Sequence, residues 1–193
     1  MSKPNYFCHE SSYIDDDVEI GEGTKIWHFC HMLPGTRIGK RCSFGQNVMA
    51  GPDVIIGDDC KVQNNVALYK GVILENGVFC GPSMVFTNVI TPRSEVNRQS
   101  EYAVTRVRKG ATIGANATIV CGHELGEYCF IAAGAVVTKN VQPHAVMAGV
   151  PARRIGWAAH SGEMLGEDMV CPRTGDRYEV QDGNLERISI GQD

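Results

Sequence analysis

The chain has 193 residues, 43% of them hydrophobic, and a formal net charge of −4 at pH 7. This length predicts one sizeable domain with a small appendage, and the negative charge argues against a general nucleic-acid binder. No apolar run approaches the length of a transmembrane helix, and the N-terminal stretch lacks a signal-peptide core. We therefore expect a cytoplasmic protein that has no contact with membranes.

Positive charge is concentrated in the middle of the chain. Residues 88–156 contain eight Lys/Arg and four Asp/Glu, whereas residues 157–193 contain three and eight. The middle segment is where we expect phosphate groups to bind, with ordinary solvated charge as the alternative. The eight cysteines include no CxxC pair, and most stand where neighbouring repeats have Val, Thr or Ala, which predicts reduced core thiols rather than a zinc ribbon.

Branched or aliphatic residues recur every six positions from Ile14 to Phe86, and a second series of smaller residues lies four positions after each of them. A six-residue unit is a short strand plus a corner, which cannot bury its own inner face, so many units must stack. The dipeptides Ile20-Gly21, Ile38-Gly39 and Ile56-Gly57 recur every eighteen residues, which indicates three units per coil. The sequence therefore predicts an all-β fold, a triangular prism of parallel strands.

The six-residue pattern pauses after Phe86 and resumes from Val107 to Val137. Residues 88–106 are therefore predicted to form a loop extruded from the prism, and a long loop on a rigid scaffold usually carries function. His123 falls in the second inward series. We interpret it as a satisfied core histidine rather than a catalytic base.

We divide the chain into a β-helix domain, residues 1–156, and a C-terminal segment, residues 157–193. The stretch WAAHSGEML predicts a short helix. Turn signals at Thr174-Gly175 and Asp182-Gly183 flank Val/Tyr/Ile segments, which predicts a small β-hairpin. This segment is expected to cap the open end of the prism, which would otherwise expose an unpaired strand edge.

Several motifs in residues 8–156 resemble a known family. The stretches IGEGTKIW, GATIGANATIVCG, AAGAVVTKNV and AGVPARRIG are similar to those of the left-handed β-helix, hexapeptide-repeat acyltransferases. The resemblance implies a left-handed parallel β-helix, a homotrimer, and acetyl-CoA in the groove between neighbouring prisms. The segments IWHFCH, KVQNNVALYKGV and FCGPSMVFTNVITPRS further resemble bacterial N-acetyltransferases that acetylate the 3-amino group of UDP-2-acetamido-3-amino-2,3-dideoxy-glucuronic acid for O-antigen lipopolysaccharide.

Three other functions stay open. In the first, the acceptor is another nucleotide-linked amino sugar, such as a dTDP-3-amino-6-deoxyhexose. In the second, the prism is a zinc hydratase like the γ-class carbonic anhydrases. In the third, it is a non-catalytic scaffold. The zinc enzymes have histidines five apart, a spacing that none of the six histidines here shows, so we expect no metal. The UDP-linked glucuronic acid has a carboxylate that the dTDP-linked deoxyhexose lacks, and this carboxylate would give Arg93 a partner.

Asn88 and His28 are the predicted catalytic residues. Eighteen-residue columns place Pro34, Pro52, Lys70 and Asn88 in line, with Asn88 at the threshold of the loop. An amide oxygen can orient a sugar amine without titrating, although an Asn here also suits a loop turn. His28 is a general-base candidate by residue type, and a surface or trimer contact is the plainer interpretation.

Seven residues are predicted to bind the substrate. They are the outward amides Gln46, Gln63 and Asn64, the outward pair Tyr69 and Lys70, and the loop arginines Arg93 and Arg98. Stacked amides also stabilise β-helices, so binding and scaffold roles are both open for them. A guanidinium forms bidentate bonds with carboxylate or pyrophosphate, which favours Arg93 in particular. The family resemblance assigns small residues to the pantetheine of CoA and cations to its nucleotide: Ala132, Ala133, Gly134, Lys139, Arg153 and Arg154.

Overall fold

The computed structural model describes residues 5–190, and it forms a parallel β-solenoid with three faces. The first face contains Phe7–Cys8, Lys25–Ile26, Ser43–Phe44, Lys61–Val62, Phe79–Cys80, Thr112–Ile113, Phe130–Ile131, Ala145–Ala148 and Arg153–Trp157. The second contains Tyr13–Ile14, His31–Met32, Met49–Ala50, Ala67–Leu68, Val85–Phe86, Thr118–Ile119 and Val136–Val137. The third contains Glu19–Ile20, Arg37–Ile38, Ile55–Ile56, Val72–Leu74, Thr105–Val107 and Glu124–Leu125. The predicted fold, a prism of stacked hexapeptide repeats, is confirmed.

Consecutive coils pair in a constant register. Phe44 lies between Ile26 and Val62, so each residue faces the one eighteen positions away. The two inward series fill the interior, and from Ile26 onward all their members except His123 are almost completely buried. All eight cysteines are free, and seven of them are buried. Within residues 5–190, no helix is long and apolar enough to cross a bilayer.

The extruded loop occupies residues 87–104 and includes one short 3₁₀ helix, Gln99–Glu101. The N–H of Ala103 donates to the carbonyl of Asn88 at 3.0 Å, which closes the neck of the loop. Beyond it, Val72 pairs with Thr105, 33 residues further along the chain instead of eighteen. The register therefore resumes as if the loop were absent.

The prediction of a core histidine at position 123 is wrong. His123 is partly exposed, and Cys121 is the fully buried residue at this corner. The N–H of Cys121 donates to Thr87 Oγ1 at 2.9 Å, and that of Gly122 donates to Thr105 Oγ1 at 3.2 Å. These bonds to the loop neck turn the chain inward two residues earlier than the repeat predicts.

The predicted helix in residues 157–165 is also wrong. The strand Arg153–Trp157 runs antiparallel to Ala145–Ala148 and covers the last open edge of the first face. Ala158 then forms an isolated bridge with Met164, and Gly162 between them has φ 87°. Pairing with the solenoid therefore overrides the local preference for a helical turn.

The predicted hairpin is confirmed as the strands Arg177–Gln181 and Asn184–Ser189, joined at Asp182-Gly183. Both turn residues have positive φ, 49° and 78°, as a two-residue hairpin turn requires. Tyr178 and Leu185 are buried in the same apolar cluster as the solenoid interior. The hairpin thus packs on the prism, while the strand before it protects the edge.

Four rings join the hairpin to the last coils: Tyr128, His144, His160 and Tyr178. His144 Nδ1 donates to the carbonyl of Ala158 at 2.8 Å, and His160 Nδ1 lies 3.0 Å from the Tyr178 hydroxyl. The two imidazole centroids are 4.6 Å apart. Burial lowers the pKa of both histidines, and the neighbouring His144 further lowers that of His160, to about 4.

We expect folding to weaken as the pH falls from about 6.5, because an unfolded histidine takes up a proton near there. Folded His160 resists protonation until about pH 4, so the unfolded chain binds more protons in this window. Melting temperatures measured between pH 6.5 and pH 5 should fall less for His160→Gln than for the wild type. His123→Gln is the control and should keep the wild-type slope; equal slopes for all three proteins would contradict the prediction.

Candidate active site

Two corners of the prism carry most of the predicted site residues, and both border the second face. The first corner joins the first face to the second at residues 27–29, 45–47, 63–65, 81–83, 114–116 and 132–134. The second corner joins the second face to the third at residues 33–35, 51–53, 69–71, 87–104, 120–123 and 138–140.

A cavity of ≈300 Å³ on the first corner, the first-corner pocket, is lined by Trp27, His28, Ser43, Gly45, Gln46, Gln63 and Asn64. Four of these seven residues are predicted site residues. They come from three successive coils, because the eighteen-residue register places positions 28, 46 and 64 in one column. The structure therefore brings His28 and the predicted amides together.

The side-chain amides of the first corner divide into those with hydrogen-bond partners in the chain and those without. Asn64 Oδ1 accepts the N–H of Gln46 at 2.9 Å, and Asn47 Nδ2 donates to Asn65 Oδ1 at 3.1 Å. These bonds support the scaffold interpretation for the asparagines. Within residues 5–190, the side-chain amides of Gln46 and Gln63 have no hydrogen-bond partner, so they are available to a ligand.

His28 lies in a stack of rings. Its centroid is 3.6 Å from that of His9, and its plane is within 10° of that of Trp27. His31 is exposed on the second face, with Nε2 3.0 Å from both carboxylate oxygens of Asp15. Both histidines lie three coils before Asn88, about 14 Å along the prism axis.

The extruded loop encloses a second cavity of ≈430 Å³, the loop pocket, lined by Asn88, Val89, Pro92, Arg93, Ser94, Val96, Asn97, Arg98, Gln99 and Tyr102. Arg98 Nη1 donates to both carboxylate oxygens of Glu101 at 2.9 Å, so its charge is largely neutralised. Arg98 Nε is buried and has no hydrogen-bond partner. Arg93 is exposed and, within the described residues, forms no ion pair, which makes it the available cation of this pocket.

Lys70 and Tyr69 lie on the second corner one coil before the loop. Lys70 Nζ donates to Asp53 Oδ2 at 2.7 Å, and both side chains are about half exposed. Tyr69 is 37% exposed. The cation predicted to bind substrate is therefore already paired within the chain.

The predicted cofactor residues lie on different sides of the last coils. Ala132, Ala133 and Gly134 lie on the first corner, and a Cβ added to Gly134 would meet no atom within 4 Å. Lys139 is on the second corner, whereas Arg153 and Arg154 belong to the last strand of the first face. The Arg154 guanidinium lies 4.3 Å from the centre of the Trp157 ring and donates to Gln142 Oε1 at 2.8 Å. Within a single chain, Lys139 therefore does not lie beside Arg153 and Arg154.

Sequence reasoning missed several residues of both pockets. Trp27 borders the first-corner pocket, Tyr102 lines the loop pocket, and Glu101 holds Arg98. Trp27 could have been predicted, because it is an aromatic residue at an outward position of the stretch IWHFCH. The loop residues follow no repeat, so no pattern points to them. The described residues contain no cluster of three or more His, Cys, Asp or Glu that could hold a metal ion.

Comparison with known proteins adds independent evidence. The family description "Bacterial transferase hexapeptide (six repeats)" matches residues 17–52, and "Hexapeptide repeat of succinyl-transferase" matches residues 35–70 and 105–139. A dTDP-3-amino-3,6-dideoxy-alpha-D-galactopyranose 3-N-acetyltransferase of Aneurinibacillus thermoaerophilus is 37% identical over 192 residues, which is 98% of each chain. The serine acetyltransferase of Escherichia coli K12 is 29% identical, over 64% of this chain and 37% of its own length.

A solved structure, a hexapeptide-repeat acetyltransferase of Vibrio cholerae complexed with acetyl coenzyme A, is 24% identical and has a TM-score of 0.49. It covers 64% of this chain and 70% of its own. Because similarity to the Aneurinibacillus relative extends over nearly all of both chains, this chain belongs to the hexapeptide-repeat acyltransferase family. The predicted enzyme class, an acyltransferase, is confirmed.

Gly45→Ala should destabilise the protein, because a Cβ on Gly45 would lie 2.3 Å from Asn64 Oδ1 and 2.8 Å from the backbone nitrogen of Asn64. We expect a loss of about 1–3 kcal/mol, typical of overpacking, measured by denaturant unfolding. Gly156→Ala is the matched control, since a Cβ there meets no atom within 4 Å. The same loss in both variants would show that the contact with Asn64 is unimportant.

Proposed function

We propose that this protein transfers the acetyl group of acetyl-CoA to the 3-amino group of a nucleotide-linked amino sugar, with a dTDP-3-amino-3,6-dideoxyhexose as the first candidate. The observation that carries this proposal is the 37% identity, over 98% of both chains, to an enzyme named for that reaction. The two pockets beside the second face support it, since one offers amides and the other a free guanidinium. A cytoplasmic location and a role in O-antigen lipopolysaccharide synthesis stay predictions.

The proposed active unit is a homotrimer packed through the second face. The outward residues of its strands include no Lys, Arg, Asp or Glu in the described coils: Tyr13, His31, Met49, Ala67, Val85, Thr118 and Val136. The first face instead presents Lys25 and Lys61, and the third presents the Glu19–Arg37 ion pair. An uncharged, partly apolar face is the one that can be desolvated at low cost.

In this trimer, the first corner of each protomer meets the second corner of its neighbour, because these two corners border the packed face. The first-corner pocket of one protomer then lies in the same groove as the loop pocket of the next, one to three coils before it along the axis. Lys139 of that neighbour joins the small residues at 132–134, which explains why one chain alone does not assemble the cofactor cations. Transfer of an acetyl group from a thioester to an amine does not itself require a metal ion.

The ligands lie end to end along the resulting groove. The first corner is polar at residues 46–47 and 63–65, and it has small residues at 114–115 and 132–134. The nucleotide sugar occupies the polar coils, and the pantetheine of acetyl-CoA lies against the small residues, where its amides approach the backbone. Arg153, exposed on the last strand, is the cation for the CoA phosphates. Asn88 lies between the two ligands, at the level of the reaction.

The chemistry needs a neutral amine beside the thioester carbonyl. The side-chain oxygen of Asn88 orients the amine by accepting a hydrogen bond from its N–H. The nitrogen attacks the carbonyl carbon, a C–N bond forms, the C–S bond breaks, and the departing thiolate takes the proton that the nitrogen loses. No carboxylate or imidazole lines the described loop pocket, so a protein base is not part of this scheme. His28, three coils away, contacts the nucleotide part instead.

Asn88→Ala should lower kcat at least tenfold, about 1.4 kcal/mol of barrier, because the amine loses its orienting acceptor. The measurement is free thiol release from acetyl-CoA with dTDP-3-amino sugars, which should be turned over faster than other nucleotide sugars. Asn184→Ala, at the start of the second hairpin strand, is the control and should retain full activity. A normal rate for Asn88→Ala would remove this residue from the mechanism, and absence of turnover with every amino sugar would refute the proposed function.

A second candidate acceptor, the UDP-linked 2-acetamido-3-amino glucuronic acid, is favoured by one observation: Arg93 is exposed in the loop pocket without an ion pair. A uronic carboxylate would accept a bidentate bond from it. If the uronic acid is the substrate, Arg93→Ala should raise its KM at least tenfold and leave a neutral dTDP sugar nearly unchanged. Arg173→Ala, whose guanidinium is held by Glu163 in the C-terminal segment, is the matched control. Equal effects of Arg93→Ala on both sugars would assign Arg93 to the shared diphosphate.

A further inference from the structure

The first-corner pocket lies where a glycine stands between two larger residues of one column. In the column formed by the eighteen-residue register, Trp27 is followed by Gly45 and then by Gln63. Two coil spacings, about 9.6 Å, therefore separate the backbone positions of Trp27 and Gln63, and Gly45 between them has no side chain, although Asn64 Oδ1 lies over it. The cavity of ≈300 Å³ lies at this gap.

Trp27 is held in place but remains open to solvent. Its ring centroid is 5.4 Å from that of Phe7, and its plane is 10° from that of His28, whose centroid lies 3.6 Å from that of His9. The Trp27 residue is still 41% exposed. A large aromatic ring that is fixed on one side and exposed on the other is a suitable platform for a second flat ring.

The polar lining of the pocket is made of amides. The side chains of Gln46 and Gln63 have no partner within residues 5–190, and Asn64 has its oxygen occupied by the Gln46 N–H but keeps its NH₂ group. Each glutamine amide offers a donor and an acceptor side by side. Uracil and thymine present the complementary edge, an N3–H between two carbonyl oxygens. No Lys, Arg, Asp or Glu lines this pocket, as suits a neutral ring.

We propose that Trp27, Gln46 and Gln63 form the base subsite, which binds the pyrimidine ring of a uridine or thymidine diphosphate sugar. This inference rests on the proposed function and adds the residues that select the nucleotide. Trp27, Gln46 and Gln63 lie three, two and one coils before Asn88, so the centre of the subsite is about 10 Å from Asn88 along the prism, a span that a ribose and a diphosphate bridge to place the sugar amine beside Asn88.

The test is calorimetric binding of dTDP, UDP and GDP to the full chain and to two Trp27 variants. Trp27→Phe keeps a ring and should weaken dTDP binding less than threefold, whereas Trp27→Leu keeps only apolar volume and should weaken it at least tenfold. Quenching of tryptophan fluorescence by dTDP should disappear in both variants. Trp157, the other tryptophan, is nearly buried and serves as the internal reference.

The amides are tested with Gln46→Met and Gln63→Met, which keep the length of the side chain and remove its hydrogen bonds. Wild-type protein should bind dTDP and UDP at least tenfold more tightly than GDP, and the double variant should lose most of this preference. Unchanged preference in the double variant, or equal dTDP affinity in Trp27→Phe, Trp27→Leu and the wild type, would overturn the base subsite.

Two further measurements separate the possible failures. Size-exclusion chromatography of Trp27→Leu should match the wild type; dissociation of the oligomer would assign Trp27 to the subunit contact and overturn the proposal. Acetyl transfer is measured in parallel. If acetyl transfer does not depend on Trp27, the proposed function holds and the base subsite is refuted. Trp27-dependent dTDP binding in a protein that acetylates no amino sugar would leave the subsite standing without the proposed function.

Discussion

A two-residue strand has no stability of its own, so each coil of this prism exists only because it pairs with the coils on either side. The constraint is double. The inward residues must be apolar at every sixth position, and every residue must face its counterpart one coil away. Burial and backbone pairing therefore impose the same register, and any slip would expose apolar groups and leave backbone groups unpaired.

This fixed register leaves the corners as the place where function can vary. A corner residue contributes no strand pair, so Gly45 can make room for the Asn64 side chain and residues 87–104 can be inserted while Val72 still pairs with Thr105. The side chains at one corner are aligned coil by coil, which makes an extended ligand site out of single residues far apart in the chain. The first-corner pocket is built in this way, whereas the loop pocket is formed by residues of the inserted segment itself; both lie beside the second face.

The ends of the stack are treated differently. At the C-terminal end, Arg153–Trp157 pairs with the last strand, and a hairpin adds Tyr178 and Leu185 to the core. That junction holds the buried His144 and the partly buried His160, whose lowered pKa values make the attachment of the hairpin depend on pH. At the other end, Cys8 and Ile14 of the first coil are only partly buried, since they have coils on one side alone.

The sequence by itself determined the prism, the position of the loop and the hairpin, because six-residue periodicity and Asp-Gly turns are local patterns with one structural solution. It also placed His28, Gln46 and Asn64 in one column. Only the tertiary structure decided the partners of side chains: Glu101 neutralises Arg98, Asp53 holds Lys70, Cys121 replaces His123 inside, and pairing with the solenoid removes the helix predicted after Trp157. These outcomes depend on contacts between residues that no repeat relates, where packing and hydrogen bonding outweigh local preference.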